Sequence, residues 1–191
     1  MKAVLISIRP KWCDLIASGQ KTVEIRKTRP KLKTPFKCYI YCTNEKPFLV
    51  WGEVFRGNWE TEFTRLYGYN RKKAEEIWDV FNGRIMGEFT CTDILPIGRR
   101  GFDNNFDYCY LSLRDFGNDD IEPYIRAVRK SRLSKDELHK YAKDNSFLYA
   151  WNISNLEVYD TPKELNELNL KRPPQSWCYV EGQKGGEDVW R

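Results

Sequence analysis

Lys2 to Ile8 opens on an apolar, β-rich run, and Arg9-Pro10 stops it. Pro10 suits the first position of a helix, where a missing N–H would have no intrahelical partner. Trp12, Leu15 and Ile16 recur at helical spacing, and Gly19 supplies a left-handed exit. The chain must therefore fit a strand, a short helix and a second strand into its first 27 residues. That second strand is unusual: it carries Lys21, Glu24 and Arg26 within six positions. A period of two sends Thr22, Glu24 and Arg26 to one face, and Lys21, Val23 and Ile25 to the other. Val23 and Ile25 belong to a core. The three charges are expected outside it, on the edges of a cleft, with the Lys21 stem packed at the strand entrance and its ammonium turned into the cleft.

Charge is distributed unevenly. The net charge is +5, yet residues 1 to 50 alone hold eleven Lys or Arg against three acids, and the remaining 141 residues are net acidic. Lys21, Arg26, Lys27, Arg29, Lys31, Lys33 and Lys37 fall within 17 residues, opposed only by Glu24. Such a density either forms a solvated basic loop or draws a polyanion such as nucleic acid.

Aromatics make up 15% of the 191 residues, which argues against a disordered chain and for one domain with a real core. No run approaches the ~20 apolar residues of a membrane span. The N-terminus lacks the pattern of a secretory signal, so a cytoplasmic location and no membrane partner are expected. Six cysteines form no CxxC pair, and the only histidine, His139, is distant from them. Buried free thiols are expected, with no metal and no cofactor; Cys13 has no evident base to activate it.

Pro30 and Pro35 bracket a basic loop, after which Phe36 to Cys42 and Phe48 to Phe55 read as strands. From Asn70 the pattern is helical, with Ala74, Ile77, Trp78 and Phe81 as its apolar stripe and Asn82-Gly83 as its end. Arg84 to Leu95 is a strand candidate, and residues 96–132 read as an insertion around the core. Ser134-Lys-Asp-Glu137 is a capping box that should start a helix running to about Lys143. Phe147 to Tyr159 is a strand. Thr161-Pro-Lys-Glu164 reads as a second capping box, with Leu165 and Leu168 facing inward. Arg172 to Val180 leads, extended, into a final strand, giving one domain over residues 1–181 and a flexible tail over 182–191.

Leu5-Ile-Ser-Ile-Arg-Pro10, the short helix, and Gly19-Gln-Lys21-Thr-Val-Glu24-Ile-Arg26 together resemble the ASCH domain, whose hallmark is a G-x-K-x-x-x-x-R segment beginning at the end of the first helix. Gly83 to Cys91, Leu148 to Ser154, Tyr159 to Leu165 and Arg172 to Val180 also resemble members from bacteria and phages, so the likeness spans most of the chain. It implies an α+β fold, a PUA-like open β-barrel with peripheral helices, and a cleft lined by Lys21 to Arg26. The family is generally proposed to bind RNA. Asn152 stands where related sequences often have histidine, and a cysteine-rich insertion before Arg172 is absent here. No metal role is therefore carried over.

Two functional readings follow. In the first, the chain is an RNA- or nucleotide-binding module. Arg9, Lys21, Arg26 and Lys27 contact phosphates, Trp12, Trp51 or Trp151 stacks bases, and Pro10 and Asn152 complete the site. Core packing is the competing role for the tryptophans. Glu24 either pairs with Lys21 or Arg26 to hold the cleft, or accepts from an exocyclic amine. In the second reading the chain is an enzyme. Some small ASCH proteins are amidohydrolases acting on N4-acetylcytidine through a lysine that matches Lys21, a hydroxyl residue and a glutamate, but the hydroxyl position aligns with Glu24 here. Ribonuclease activity would have to draw its acid and base from Lys21 and Glu24. A protein-interaction module using Thr161 to Pro174 is a third, blander possibility.

Overall fold

The structure is a computed structural model that describes residues 1–44, 81–102, 105–111, 122–143, 145 and 147–182. Trp51, the strand expected over Phe48 to Phe55, most of the helix expected from Asn70, and nearly all of the tail lie outside the described residues. The elements are β1 (Lys2–Ile8), α1 (Pro10–Ala17), β2 (Val23–Arg26), β3 (Phe36–Cys42), β4 (Ile85–Phe102), β5 (Asn105–Leu111), α2 (Glu122–Ser131), α3 (Lys135–Ala142), β6 (Phe147–Lys163), a 3-10 turn (Leu165–Leu168) and β7 (Trp177–Glu181). The strands form a mixed sheet in the order β2-β6-β4-β3-β1-β7, with β5 paired to β4. β1 runs parallel to β3 and antiparallel to β7, while β2 and β6 are antiparallel, with Glu24 opposite Trp151.

The chain divides into two compact units, the first comprising residues 1–17, 37–89 and 156–191, the second residues 18–36 and 90–155. In the first unit, β1 is buried from Ala3 to Ile8, as its apolar run requires. Leu5, Tyr39, Ile85, Leu168 and Val180 form the core cluster, with Leu165 packed against it. Each such aliphatic side chain contributes about 1.5–3 kcal/mol when fully buried. In α1 the buried residues are Pro10, Cys13 and Ile16, not the expected set of Trp12, Leu15 and Ile16. The buried stripe is displaced because Pro10 itself packs inward and sets the phase. Gly87 in β4 has no room for a side chain, since a Cβ there would stand 2.3 Å from the Glu157 carbonyl oxygen in β6. Glu88, next along β4, accepts from the Tyr159 hydroxyl at 2.5 Å and pairs with Lys37.

One expectation in this unit is corrected. Thr161-Pro-Lys does not begin a helix; these residues continue β6, and only a single 3-10 turn follows. Its start is closed by Glu164 N–H, which donates to Glu167 Oε1 at 2.9 Å. Strand pairing outcompetes a local cap whose helix would be too short to sustain itself.

In the second unit the core gathers Val23 and Ile25 of β2 with Ile97, Ala127, Leu138, Ala142, Leu148 and Ala150. Residues 96–132 thus supply β4's extension through Pro96, the β5 hairpin strand and α2, and two of the cluster's side chains. α3 begins as expected: Ser134 Oγ accepts from Glu137 N–H at 3.2 Å, and Glu137 Oε2 accepts from Ser134 N–H at 2.9 Å. β6 continues from one unit to the other, and the boundary falls at Asn155, whose φ of 48° is a left-handed conformation that asparagine tolerates better than most residues.

Candidate functional site

Gly19 leaves α1 at φ 72°, and the backbone turns through Gln20 and Lys21 before β2 begins at Val23. Lys21 therefore lies ahead of the strand, not within its alternation, and its side chain is free of the Val23 and Ile25 face. It reaches Glu24 instead: Lys21 Nζ lies 3.0 Å from Glu24 Oε2 and donates to the Ser131 carbonyl at 2.7 Å. The second carboxylate oxygen, Oε1, lies 3.1 Å from Arg26 Nε. One carboxylate thus serves two cations from adjacent sides.

The placement of these three charges corrects the expectation that they stand outside the core. Lys21 is 2% exposed, and Glu24 and Arg26 are each 7% exposed. Burial of so much charge is tolerable because every member has a counter-charge within 3.1 Å and a second lysine donor finds a carbonyl, although Arg26 Nε is held by charge without a well-aligned hydrogen bond. Burial pushes the Lys21 pKa below the usual lysine value; Glu24 opposes that shift and Arg26 adds to it. Tyr141, from α3, is raised above the ordinary phenol value by burial, with Arg26 and Glu24 both near enough to act on it.

Ser131, Glu137 and Tyr141 are the participants that sequence reasoning did not find. Ser131 is fully buried, its hydroxyl donating to the Val128 carbonyl at 2.7 Å while its own carbonyl takes Lys21. It closes α2, whose end is tied to the approach to β2: Thr22 N–H donates to the Lys130 carbonyl at 3.1 Å, and Arg132 Nε to the Gln20 carbonyl at 2.8 Å. Glu137 contributes a further negative charge toward Lys21.

Beyond β2 the chain surfaces. Lys27 is half-buried with its ammonium 5.3 Å from the Tyr141 ring centre, and Arg29 is exposed with its guanidinium 5.8 Å from the ring of Tyr149. Lys31 and Lys33 are exposed, between buried Pro30 and exposed Pro35. Asn152 is half-buried in β6, donating to Thr92 Oγ1 at 2.8 Å and Ser154 Oγ at 3.1 Å. Trp151 corrects another expectation. It is 0% exposed and meets Phe36 edge-on at 6.0 Å between ring centres, so it is core and presents no face to a base. Its indole is large enough that burial outweighs any use at the surface.

Arg9, Pro10 and Trp12 belong to the first unit. Arg9 is exposed, Pro10 is buried as the first residue of α1, and Trp12 is half-buried with Lys11 Nζ 4.7 Å from its ring centre. Cys13, Cys38, Cys42 and Cys91 are buried free thiols, and burial lifts Cys91 to about 12. Among the described residues, no grouping of His, Cys, Asp and Glu is arranged to hold a metal ion, and no helix is long and apolar enough to cross a membrane.

The sequence model of the ASCH domain matches residues 6–162, which contain the whole of the Lys21–Glu24–Arg26 arrangement. The chain belongs to the ASCH domain family. Its fold is similar to the crystal structure of the ASCH protein from Zymomonas mobilis, at 17% identity, a TM-score of 0.55, and coverage of 94% of this chain and 87% of that one. It is equally similar to two single-substitution variants of that protein. A tyrosine-to-phenylalanine variant gives 15% identity and a TM-score of 0.54, covering 95% of this chain and 91% of that one. A serine-to-alanine variant gives 16% and 0.56, covering 94% and 88%. Among curated proteins none matches. At these identities the likeness concerns the fold, and it agrees with an α+β, PUA-like ASCH architecture built on an open mixed sheet.

Proposed function

We propose that this ASCH domain is an RNA- or nucleotide-binding module in which the Lys27 to Lys33 loop contacts phosphates and the buried Lys21–Glu24–Arg26 trio holds that loop in place. The observation that carries this reading is the division of labour along one segment. The first three charges are engaged with one another in the interior, whereas Lys27, Arg29, Lys31 and Lys33 emerge with only basic character. Phosphates are recognised by exposed cations, and ordered cations next to aromatic rings favour single-stranded RNA, whose bases are available to stack. Arg29 beside Tyr149 supplies such a pairing. Glu24 has one oxygen facing each cation, which favours its framework role over base reading.

The test is fluorescence anisotropy with labelled single-stranded RNA. The wild-type chain is expected to bind with an affinity that falls as salt rises, and Lys27→Ala/Arg29→Ala is expected to weaken it. Wild-type binding that ignores salt, or a double variant indistinguishable from wild type, removes this reading.

A second reading is hydrolysis of an acetylated nucleoside such as N4-acetylcytidine. It is supported by a lysine whose pKa burial lowers, a condition under which an amine gains strength as base or nucleophile at neutral pH. Against it, Lys21 Nζ is already engaged by Glu24 and Ser131 and almost closed to solvent. Acetate release from N4-acetylcytidine above the level of a Lys21→Ala control would establish it.

A further inference from the structure

We propose that the outward face of α2 is a second phosphate-contacting surface, engaging the backbone of the same RNA; this rests on the RNA-binding reading above. At 100° per residue, Arg126, Arg129 and Lys130 fall within an arc of about 100°. All three are exposed, while Ala127 and Ser131, on the other side of the helix, are buried in or beside the core. Arg132 follows, also exposed, at φ 59°. From Pro123 to Lys135 the sequence contains no acid.

That pattern differs from an ordinary solvated helix. Exposed helix faces commonly interleave both signs, because opposite charges three or four apart attract and like charges repel. Here Arg126 stands three and four residues before Arg129 and Lys130, so the relations among these three bases are repulsive, and Glu122 at the helix start, four residues before Arg126, is the one acid of the helix. The helix dipole accounts for bases in the last turn, where Arg129 and Lys130 sit. It does not account for Arg126 in the turn before, for Arg132 beyond the end, or for the lack of acids from Pro123 to Lys135. A polyanion removes the repulsion, and bases one turn apart, about 5.4 Å along the axis, suit successive phosphates of one strand.

The helix is also joined to the candidate site. The Lys130 carbonyl takes Thr22 N–H, Arg132 holds Gln20, and the Ser131 carbonyl takes Lys21. The α2 face thus approaches the entry of the G-x-K-x-x-x-x-R segment, while the Lys27 to Lys33 loop leaves its exit.

Arg126→Gln/Arg129→Gln/Lys130→Gln tests this, measured against wild type by anisotropy with single-stranded RNA over a range of salt. Glutamine keeps helix propensity, and circular dichroism and the unfolding midpoint are expected to match wild type. The triple variant should bind at least about tenfold more weakly at low salt, with the slope of log affinity against log salt flattened by about 2, from roughly 0.7 per phosphate contact. If the wild type binds and the triple variant matches it in affinity and slope, the α2 proposal fails and the loop reading stands. Absence of wild-type binding overturns both. Should the triple variant unfold, Arg126→Gln and Lys130→Gln singly must each flatten the slope by about 0.7, and unchanged slopes refute the proposal. Wild-type binding to phosphatidylserine vesicles that the triple variant loses, with RNA binding unaltered, also overturns it in favour of a membrane surface.

Discussion

Lys21 Nζ lies 3.0 Å from Glu24 Oε2, three residues along the chain, in a setting where the lysine side chain is 1% exposed. The same carboxylate also faces Arg26, so Glu24 lies between two buried cations. Its removal takes from each the carboxylate oxygen that lies 3.0 to 3.1 Å away. Glu24→Ala is therefore expected to destabilise the fold by about 3–5 kcal/mol, the range found when one partner of a buried pair is deleted. Lys21→Met should cost less, because Glu24 keeps Arg26. Urea unfolding of the two variants checks the order, and equal or inverted losses would show that Glu24 is not the hub.

The lowered pKa of Lys21 gives a pH dependence of definite sign. Between its folded value and the unfolded value near 10.5 the unfolded chain carries the extra proton, so stability contributed by this group rises with pH across that window. The penalty for burying the ammonium is fully present below the folded pKa. The stability difference between wild type and Lys21→Met, followed by urea unfolding from neutral pH towards 10.5, is expected to shift in favour of wild type. A flat difference, or one moving the other way, contradicts a lysine whose pKa is depressed by burial.

Much of this was legible in the sequence, and the failures are informative. β1, α1 and α3 were readable because Pro10, Gly19 and the Ser134–Glu137 box act locally, within a few residues of what they punctuate. The trio's burial was not, because its last partner is the Ser131 carbonyl, 110 residues from Lys21, in a segment with no clear periodicity. Period-two logic also placed Lys21 inside the strand, whereas the turn after Gly19 releases it towards Glu24. Trp151 illustrates the opposite limit: a tryptophan's sequence neighbours do not reveal whether its ring stacks on a ligand or on Phe36.

Gly87 is a position where a single methyl group has nowhere to go. A Cβ would sit 2.3 Å from the Glu157 carbonyl oxygen and 3.1 Å from Val158 Cα, both backbone atoms of β6. Relief requires the two strands to separate, so Gly87→Ala is expected to cost about 1–3 kcal/mol or more. A thermal melt within a degree of wild type would mean that β4 and β6 do not approach as closely as described.

Ser134 couples local chemistry to the core. Its hydroxyl accepts from Glu137 N–H, and α3 carries Leu138 and Ala142 into the cluster around Val23 and Ile25. Ser134→Ala is expected to lose about 1 kcal/mol, and Ser134→Asn to recover most of it, since asparagine caps comparably. Equal losses in both variants would point to side-chain packing instead of capping.

Framework and contact roles separate within the G-x-K-x-x-x-x-R segment and its loop. Lys21 is buried and already engaged, so in the RNA-binding reading it touches no phosphate; Lys27 and Arg29 do. For single-stranded RNA each lost phosphate contact removes roughly 0.7 from the slope of log affinity against log salt. Lys27→Ala/Arg29→Ala is therefore expected to flatten the slope by about 1.4, from two such contacts. Lys21→Met should leave the slope unchanged, even where loosening of the loop lowers affinity at every salt concentration. A slope change in Lys21→Met would mean that its ammonium reaches the ligand after all, and that the closed arrangement with Glu24 opens when RNA binds.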